Sequence, residues 1–270
     1  MKKVSVILTT YNSEDQLQEV LNSINNQEGR GELFEIELLV VDDCSTDNTK
    51  SILIKNNVGF QLTNYNTGGP NQGRNLALMQ CSGEYICIAD HDDIWFPNRI
   101  KKLLEICHLA PIVTSGYILS DDASLKQVAR VSKPKGVSGH LIYEKNETFL
   151  RKLAKSKSGQ QTYLGSILFH SSLKQILFEE EFGMIDFDWV LKLFHNKASV
   201  EVCSALYLRK VESDNLSLNE QYRINDYYYS LKTISVYKHE YSAEVICAEK
   251  RINGSLGRYY YLIGNMKLSR

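Results

Sequence analysis

At 270 residues the chain can bury one large core, or one core with an appendage, and its 43% hydrophobic and 23% charged content is ordinary for a soluble globular enzyme. A formal net charge of −1 excludes any global pull toward nucleic acid, so a polyanion partner would need a local patch. Six cysteines (Cys44, Cys81, Cys87, Cys107, Cys203, Cys247) form no C-x-x-C pair and read as small hydrophobes in a reducing compartment, not as a disulfide framework or zinc ligands.

The opening MKKVSVILTTYN has two lysines and an apolar run far shorter than a signal peptide needs, and no run approaches the roughly 20 apolar residues of a membrane span, so a cytoplasmic protein is expected. Val4–Leu8 is a β-rich apolar run, and Ser13 opens a helix on which Leu17, Val20, Leu21 and Ile24 recur at helical spacing. Ile36–Val41 is a second continuous strand running into Asp42-Asp43 and the CSTDNT cluster, which suits the cap of a helix over Ser51–Ile54. Phe60–Asn64 is a weaker strand. The loop NTGGPNQG then breaks into a helix over Arg74–Gln80, followed by the strand Tyr85–Ala89 and a helix from near Pro97.

Beyond residue 111 two strands flank an Asp-Asp turn at 121–122. Asn146–Lys155 reads as helix, Tyr163–Phe169 as strand, Asp188–Asn196 as helix and Val200–Leu208 as strand. From about 218 the chain reads as helical and tyrosine-rich. Uniformly apolar strands alternating with helices predict an α/β fold, a mainly parallel sheet covered on both faces. Ligands of such sheets bind outside the carboxyl ends of the strands, where Thr9–Asn12, Asp42–Ser45 and Asp90–Asp93 all fall.

These clusters carry the chemistry. Asp90, Asp92 and Asp93 place three carboxylates within four residues, an arrangement that calls for positive charge. Hard oxygen ligands of this kind suit Mg²⁺ or Mn²⁺ shared with a diphosphate; capping of the following helix is the alternative. A carboxylate at 42 or 43 can accept from a base or ribose, with helix capping again the alternative, one role per aspartate. Tyr11 reads equally as a base-stacking or a packing residue.

Taken together, VSVILTTYNSEDQLQEVLNSI, LLVVDDCSTDNT and GRNLALMQCSGEYICIADHDDIWFPNRI resemble the N-terminal half of family 2 glycosyltransferases of GT-A fold, with fainter likeness in IDFDWVLKL and LRKVESDNLS. The resemblance implies a Rossmann-like catalytic domain over 1–217, with a nucleotide-binding half (1–110) and an acceptor-binding half (111–217), then a helical extension over 218–270. It implies inverting transfer from a nucleotide-diphosphate sugar, with UDP the family's commonest nucleotide, to a glycan or lipid-linked glycan in bacterial cell-surface polysaccharide synthesis. The DDIWFPN run is also similar to rhamnosyltransferases that use a dTDP sugar. Carried over, Thr9, Tyr11, Asp43 and Arg74 contact the nucleotide. Asp92 foremost and Asp90, with Asp93 as a third acid, hold Mn²⁺ or Mg²⁺, and Asp90 also contacts the nucleotide sugar. Asp186 is the general base, with Asp188 the fallback, although Ile185 stands where the family has an acid.

Gln160 and Gln161 are weaker candidates for the sugar or acceptor site. Arg209, Lys210 and Asn215 match only part of a late basic region that in the family includes a histidine. The basic, aromatic tail (Arg251, Arg258, Lys267, Arg270) is compatible with an interfacial helix at the inner face of the plasma membrane, and equally with packing on the domain or in an oligomer. The open alternatives are a non-catalytic nucleotide-sugar-binding relative and a sugar-phosphate nucleotidyltransferase, though the latter needs a Gly-rich basic loop after the first strand that TTYNSE does not supply. A dinucleotide oxidoreductase is excluded on the same grounds.

Overall fold

The computed structural model describes residues 1–120, 128–154, 160–210 and 219–265. The apolar runs at the start of the chain become three adjacent parallel strands: β1 (Lys2–Thr10) lies between β2 (Phe34–Asp42) and β4 (Tyr85–Ala89), with β3 (Phe60–Leu62) outside β2. The sheet continues through β9 (Leu168–His170), β6 (Ile112–Ser120), β10 (Ser199–Lys210) and β5 (Asp93–Trp95), in the order β3-β2-β1-β4-β9-β6-β10-β5. Only β9 and β5 oppose the common direction. Two short strands, β7 (Val128–Ser132) and β8 (His140–Tyr143), pair antiparallel with β6 and β10.

Strand alternation builds a core on each face. Val4, Val6 and Leu8 of β1, with Cys87 of β4, pack on α1 (Leu17–Asn25), α2 (Thr49–Lys55) and α4 (Arg99–Ile106). Ile7, Ile86 and Ile88 point to the other face. There they meet α3 (Asn71–Gln80), α5 (Glu147–Ala154), α6 (Phe187–Phe194), α7 (Glu220–Ser235) and α8 (Ser242–Leu262). Ile234, Val245, Ala248 and Ile252 of the last two helices belong to that same core, so the tail packs on the α/β body.

The expected α/β architecture with a mainly parallel sheet is the one observed. Sequence patterning misses β5 and β8, strands of three and four residues, and places a strand at Tyr163 where the chain makes a 3₁₀ turn over Leu164–Ser166 before β9. The Asp-Asp turn expected between β6 and β7 lies outside the described residues, as do Asn215, Lys267 and Arg270. All six cysteines are free thiols. Four are buried as expected, Cys44 is half-buried and Cys247 is exposed.

Candidate active site

The carboxyl ends of β1, β2 and β4 open on one edge of the sheet, and two residues there adopt left-handed backbone that turns the chain sharply out of its strand: Asn12 (φ 46°) and Cys44 (φ 61°). Asn and Asp tolerate this conformation better than most residues; cysteine does not, so Cys44 is held by the surrounding bonds. Asp42 supplies them. Its carboxylate accepts from Thr10 Oγ1 (3.0 Å), Ser45 Oγ (2.5 Å) and the Ser45 N–H (2.9 Å), which ties the ends of β1 and β2 together.

Asp43 faces the other way. It accepts from Thr63 Oγ1 (2.8 Å), from Thr67 Oγ1 (3.1 Å) and from the Thr67 N–H on both oxygens (3.0 and 3.1 Å). A carboxylate has about four acceptor positions. The residue expected on the base or ribose therefore holds the 63–67 loop, and contact with a nucleotide requires one of these bonds to open. Thr9 is buried beneath the edge, whereas Tyr11 stands out of it, 45% exposed.

Arg74 is the hub. Near the start of α3 its guanidinium donates to Asp90 Oδ1 (2.9 Å) and Asn71 Oδ1 (3.0 Å), and lies 5.4 Å from the centre of the Phe178 ring. The Asn71 amide in turn donates to the Ile185 carbonyl (3.0 Å) and to Glu179 Oε1 (3.1 Å). Glu179 is a buried carboxylate that collects the backbone N–H groups of Phe182 (2.8 Å), Gly183 (3.3 Å), Met184 (3.0 Å) and Ile185 (2.7 Å). One hydrogen-bonded chain thus runs from Asp90 through Arg74 and Asn71 to the residue before Asp186. The Gly-rich loop closes against the same segment: a Cβ on Gly69 would sit 2.3 Å from the Gly183 carbonyl oxygen.

The three carboxylates after β4 have separate environments. Asp90 is a third exposed and paired with Arg74. Asp92 is half-buried; burial first, then the Asp90 charge, push its carboxyl above the usual range. Asp93, in β5, is buried against Gly165, opposite Arg209 in the β5–β10 ladder and in the field of Arg99. Its carboxyl is held well above the usual range by burial and by the other two acids. No group of three or more acidic, histidine or cysteine side chains converges on a common point among the described residues.

The oxygen donors of Asp90 and Asp92 fit a hard cation. They form an incomplete, partly open pair whose mutual repulsion a cation would relieve and whose remaining ligands would come from water and a diphosphate. Asp93 has no open side and does not join them.

Asp186 is partly exposed at the N-cap position of α6, where its side chain caps no backbone N–H. Asp188 is turned into the protein. It pairs with Lys192 (2.8 Å) and lies 3.5 Å from the Tyr229 hydroxyl, and burial raises its carboxyl. The isoleucine before Asp186 is buried in the core, with its N–H and carbonyl engaged by Glu179 and Asn71.

The softer candidates separate. Gln160 is a core residue whose amide joins Thr148, Thr114, Ser199 and the Val200 carbonyl, and so is not a ligand for sugar or acceptor. Gln161 donates its backbone N–H to Glu201 (3.2 Å). Arg209 lies 4.5 Å over the Tyr163 ring, and Lys210 pairs with Glu19 (2.8 Å). Sequence reasoning does not find Asn71 or Glu179: one reads as loop and the other as part of an exposed acidic run. Only the phenylalanine before EEE and the glycine after it hint that the run folds back.

The profile described as Glycosyl transferase family 2 matches residues 5–198. Over 105 residues the chain is 44% identical to the poly(ribitol-phosphate) beta-N-acetylglucosaminyltransferase TarS of Staphylococcus aureus, a match covering 37% of this chain and 18% of that protein. Over 107 residues it is 34% identical to the putative teichuronic acid biosynthesis glycosyltransferase TuaG of Bacillus subtilis, covering 38% of this chain and 40% of the relative. The chain thus spans well under half the length of either curated relative. Among solved structures, S. aureus TarS 1-349 in complex with UDP-GlcNAc superposes with a TM-score of 0.66 at 23% identity, over 95% of this chain and 71% of that one. The mannosyltransferase PcManGT from Pyrobaculum calidifontis, in complex with GDP-Man and Mn2+, superposes at 0.60 and 15% identity, over 98% of this chain and 73% of that one. These structures share the GT-A fold. The strand-end motifs, their placement on the sheet and a family profile spanning most of the chain agree: the chain belongs to glycosyl transferase family 2.

Proposed function

We propose that the chain is an inverting, metal-dependent glycosyltransferase unit that moves a sugar from a UDP-sugar to a glycan or lipid-linked glycan acceptor in bacterial cell-surface polysaccharide synthesis. One observation carries the reading. The hydrogen-bonded chain Asp90–Arg74–Asn71–Ile185 joins the carboxylates after β4 to the segment bearing Asp186, so a metal-binding edge and a base are held as one unit. Family membership, the UDP-GlcNAc named for the TarS complex and the Mn2+ named for PcManGT support the donor and cation classes.

Each residue then has a role set by its surroundings. Tyr11 offers a ring face to the base, with Thr9 and Asp43 beneath it. Arg74 orients Asp90 and offsets part of its charge beside Asp92. Asp92, with Asp90, holds Mn²⁺ or Mg²⁺, which when bound neutralises charge building on the departing diphosphate. Asp186 takes the proton of the attacking acceptor hydroxyl, a general-base role for which its partial exposure and lack of a cap bond leave it free. A single displacement with the base opposite the leaving group inverts the anomeric carbon.

Within this proposal the catalytic domain is 1–217 and the helical extension 218–270, the latter packed on the acceptor side. No helix of the described residues is long and apolar enough to cross a membrane. A cytoplasmic location with peripheral contact through Tyr261, Leu262 and Ile263, which are exposed at the end of α8, fits a lipid-linked acceptor. The test is a transfer assay with UDP-sugars and Mn²⁺, reading UDP release and the anomeric configuration of the product. Release that needs no cation, or a retained configuration, overturns the proposal.

A further inference from the structure

The loop that leads into β9 turns one aromatic ring outward. Gln160, Leu164, Gly165 and Ser166 are buried, Gln161 and Thr162 are half-buried, and Tyr163 is 43% exposed. The backbone on either side of it is fixed. Before it, the Gln161 N–H donates to the buried Glu201 carboxylate (3.2 Å), whose other oxygen takes the Tyr143 hydroxyl (2.8 Å). After it, the Tyr163 carbonyl accepts from the Ser166 N–H (2.9 Å) and Ser166 Oγ (2.6 Å), and the Gly165 carbonyl accepts from the buried Arg99 guanidinium. The side chain is held as well. The Arg209 guanidinium carbon lies 4.5 Å from the ring centre, and the Tyr117 ring meets it at 5.1 Å with the planes 83° apart.

Two contacts place this ring beside the strand-end carboxylates. Arg209 stands directly opposite Asp93 in the antiparallel β5–β10 ladder, so the two side chains project from the same face as neighbours. Gly165, two residues after Tyr163, packs on Asp93 so closely that a Cβ would sit 2.5 Å from Asp93 Oδ2. Strand and turn together anchor the ring next to the acid that follows Asp92. Tyr163 is also within electrostatic range of Lys152 of α5, whose ammonium lies 5.7 Å from the centre of the Phe187 ring, one residue beyond Asp186. The exposed ring thus stands between the metal-binding edge and the general base. A sugar carried on a metal-bound diphosphate must occupy that interval for its anomeric carbon to be attacked.

We propose that Tyr163 is the platform on which the hexose of the UDP-sugar donor packs, a specificity-determining contact made by the ring and not by its hydroxyl. The inference rests on the transferase reading above. The face of an aromatic ring is electronegative, and the C–H face of a pyranose is apolar and weakly positive, so the two associate while the sugar hydroxyls stay hydrated or bonded elsewhere. A ring already fixed by Arg209, Tyr117 and the 3₁₀ turn loses little freedom on binding, which favours affinity. Gln160, the loop's expected sugar ligand, is spent inside the core, and Tyr163 is the side chain that the same loop presents instead. An acceptor sugar offers the same surface chemistry. The donor is assigned because the anchors of the ring, Arg209 and Gly165, both lie against Asp93, on the metal side of the site.

The test is calorimetric titration of the full chain with Mn²⁺ and no acceptor, using UDP, UDP-GlcNAc and UDP-glucose as probes. The readout is the ratio of the UDP-sugar Kd to the UDP Kd within each protein, for whichever sugar the wild type binds more tightly. We expect Tyr163→Ala and Tyr163→Leu to raise this ratio about tenfold, Tyr163→Phe to stay within about twofold of the wild type, and UDP itself to change less than about twofold in all three. Rescue by phenylalanine but not by leucine is a pattern that loss of bulk or of fold would not produce. An unchanged ratio in Tyr163→Ala leaves the ring to an acceptor or to packing and overturns the donor platform. So does a wild type that binds UDP but neither UDP-sugar. A parallel loss of UDP and UDP-sugar binding in Tyr163→Ala shows a merely structural role and overturns it too. A wild type that binds none of the three probes with Mn²⁺ overturns the transferase reading itself.

Discussion

Replacing Glu179 by alanine tests whether a buried acid that touches no substrate holds the site together. Its carboxylate accepts from four backbone N–H groups, those of Phe182, Gly183, Met184 and Ile185, and from the Asn71 amide. A buried donor left without an acceptor costs about 1–3 kcal/mol. The 182–185 segment would relax and admit water, so five full penalties do not add. Breaking a buried charged network typically costs about 3–5 kcal/mol, and we expect about 4 kcal/mol for Glu179→Ala. Glu179→Gln keeps one carbonyl acceptor but turns an NH₂ toward backbone donors, and about 2 kcal/mol is expected. With a urea slope near 3 kcal/mol/M, the alanine variant's midpoint falls by roughly 1.3 M. Under conditions where the variant remains folded, kcat falls about tenfold, since Asp186 is no longer held at a fixed distance, while affinity for UDP with Mn²⁺ stays within about twofold. A midpoint within about 0.3 M of the wild type would show that the segment is held by other contacts and refute the reasoning.

Three further outcomes follow from the same geometry. Asp92→Ala and Asp186→Ala should each remove at least about 99% of transfer, a loss equivalent to roughly 2.7 kcal/mol of barrier. Calorimetry separates them: only the Asp92 variant loses cation-dependent UDP binding. At Gly165 a Cβ would sit 2.5 Å from Asp93 Oδ2 and 3.2 Å from the Tyr207 ring, so Gly165→Ala should cost about 1–3 kcal/mol in urea unfolding, and a neutral result would mean that β5 moves freely. Burial alone would raise the Glu37 carboxyl, but hydrogen bonds from Lys3, Ser5 and Ser82 take it down to about 2. A lowered folded pKa contributes stability that is present above the ordinary glutamate range and lost as pH falls toward 2. The acid limb of the unfolding profile should therefore flatten in Glu37→Gln, and an unchanged limb would contradict this.

Much of this was legible in the sequence because it depended on local pattern. The strand Tyr85–Ala89 is read to the residue, since it is an unbroken apolar run bounded by Glu84 and Asp90. The acidic strand ends reach one edge because parallel strands put their carboxyl ends together. What stayed hidden depended on where side chains turn. Asp92 and Asp93 are adjacent in sequence, yet one remains partly open and the other is sealed against Gly165 and Arg99 by the three-residue strand β5, too short to show periodicity. Asp43 reads as a ligand and is held by Thr63 and Thr67, which come from the next loop. Glu179 looks like one of three exposed acids until the fold wraps the 182–185 backbone around it. The tail's tyrosines, spread around both helices, announce no buried face. Packing buries Ile234, Val245 and Ile252, with Tyr222, Tyr227, Tyr229, Tyr237 and Tyr241 partly buried around them.

The most direct test is a calorimetric titration of UDP into the wild type and Asp92→Asn, each with Mn²⁺ and with EDTA. The account predicts that Mn²⁺ tightens UDP binding at least about tenfold in the wild type, some 1.4 kcal/mol, and that the variant loses this gain. Equal UDP affinity with and without the cation, or an undiminished gain in Asp92→Asn, would contradict a diphosphate held through a metal at the end of β4.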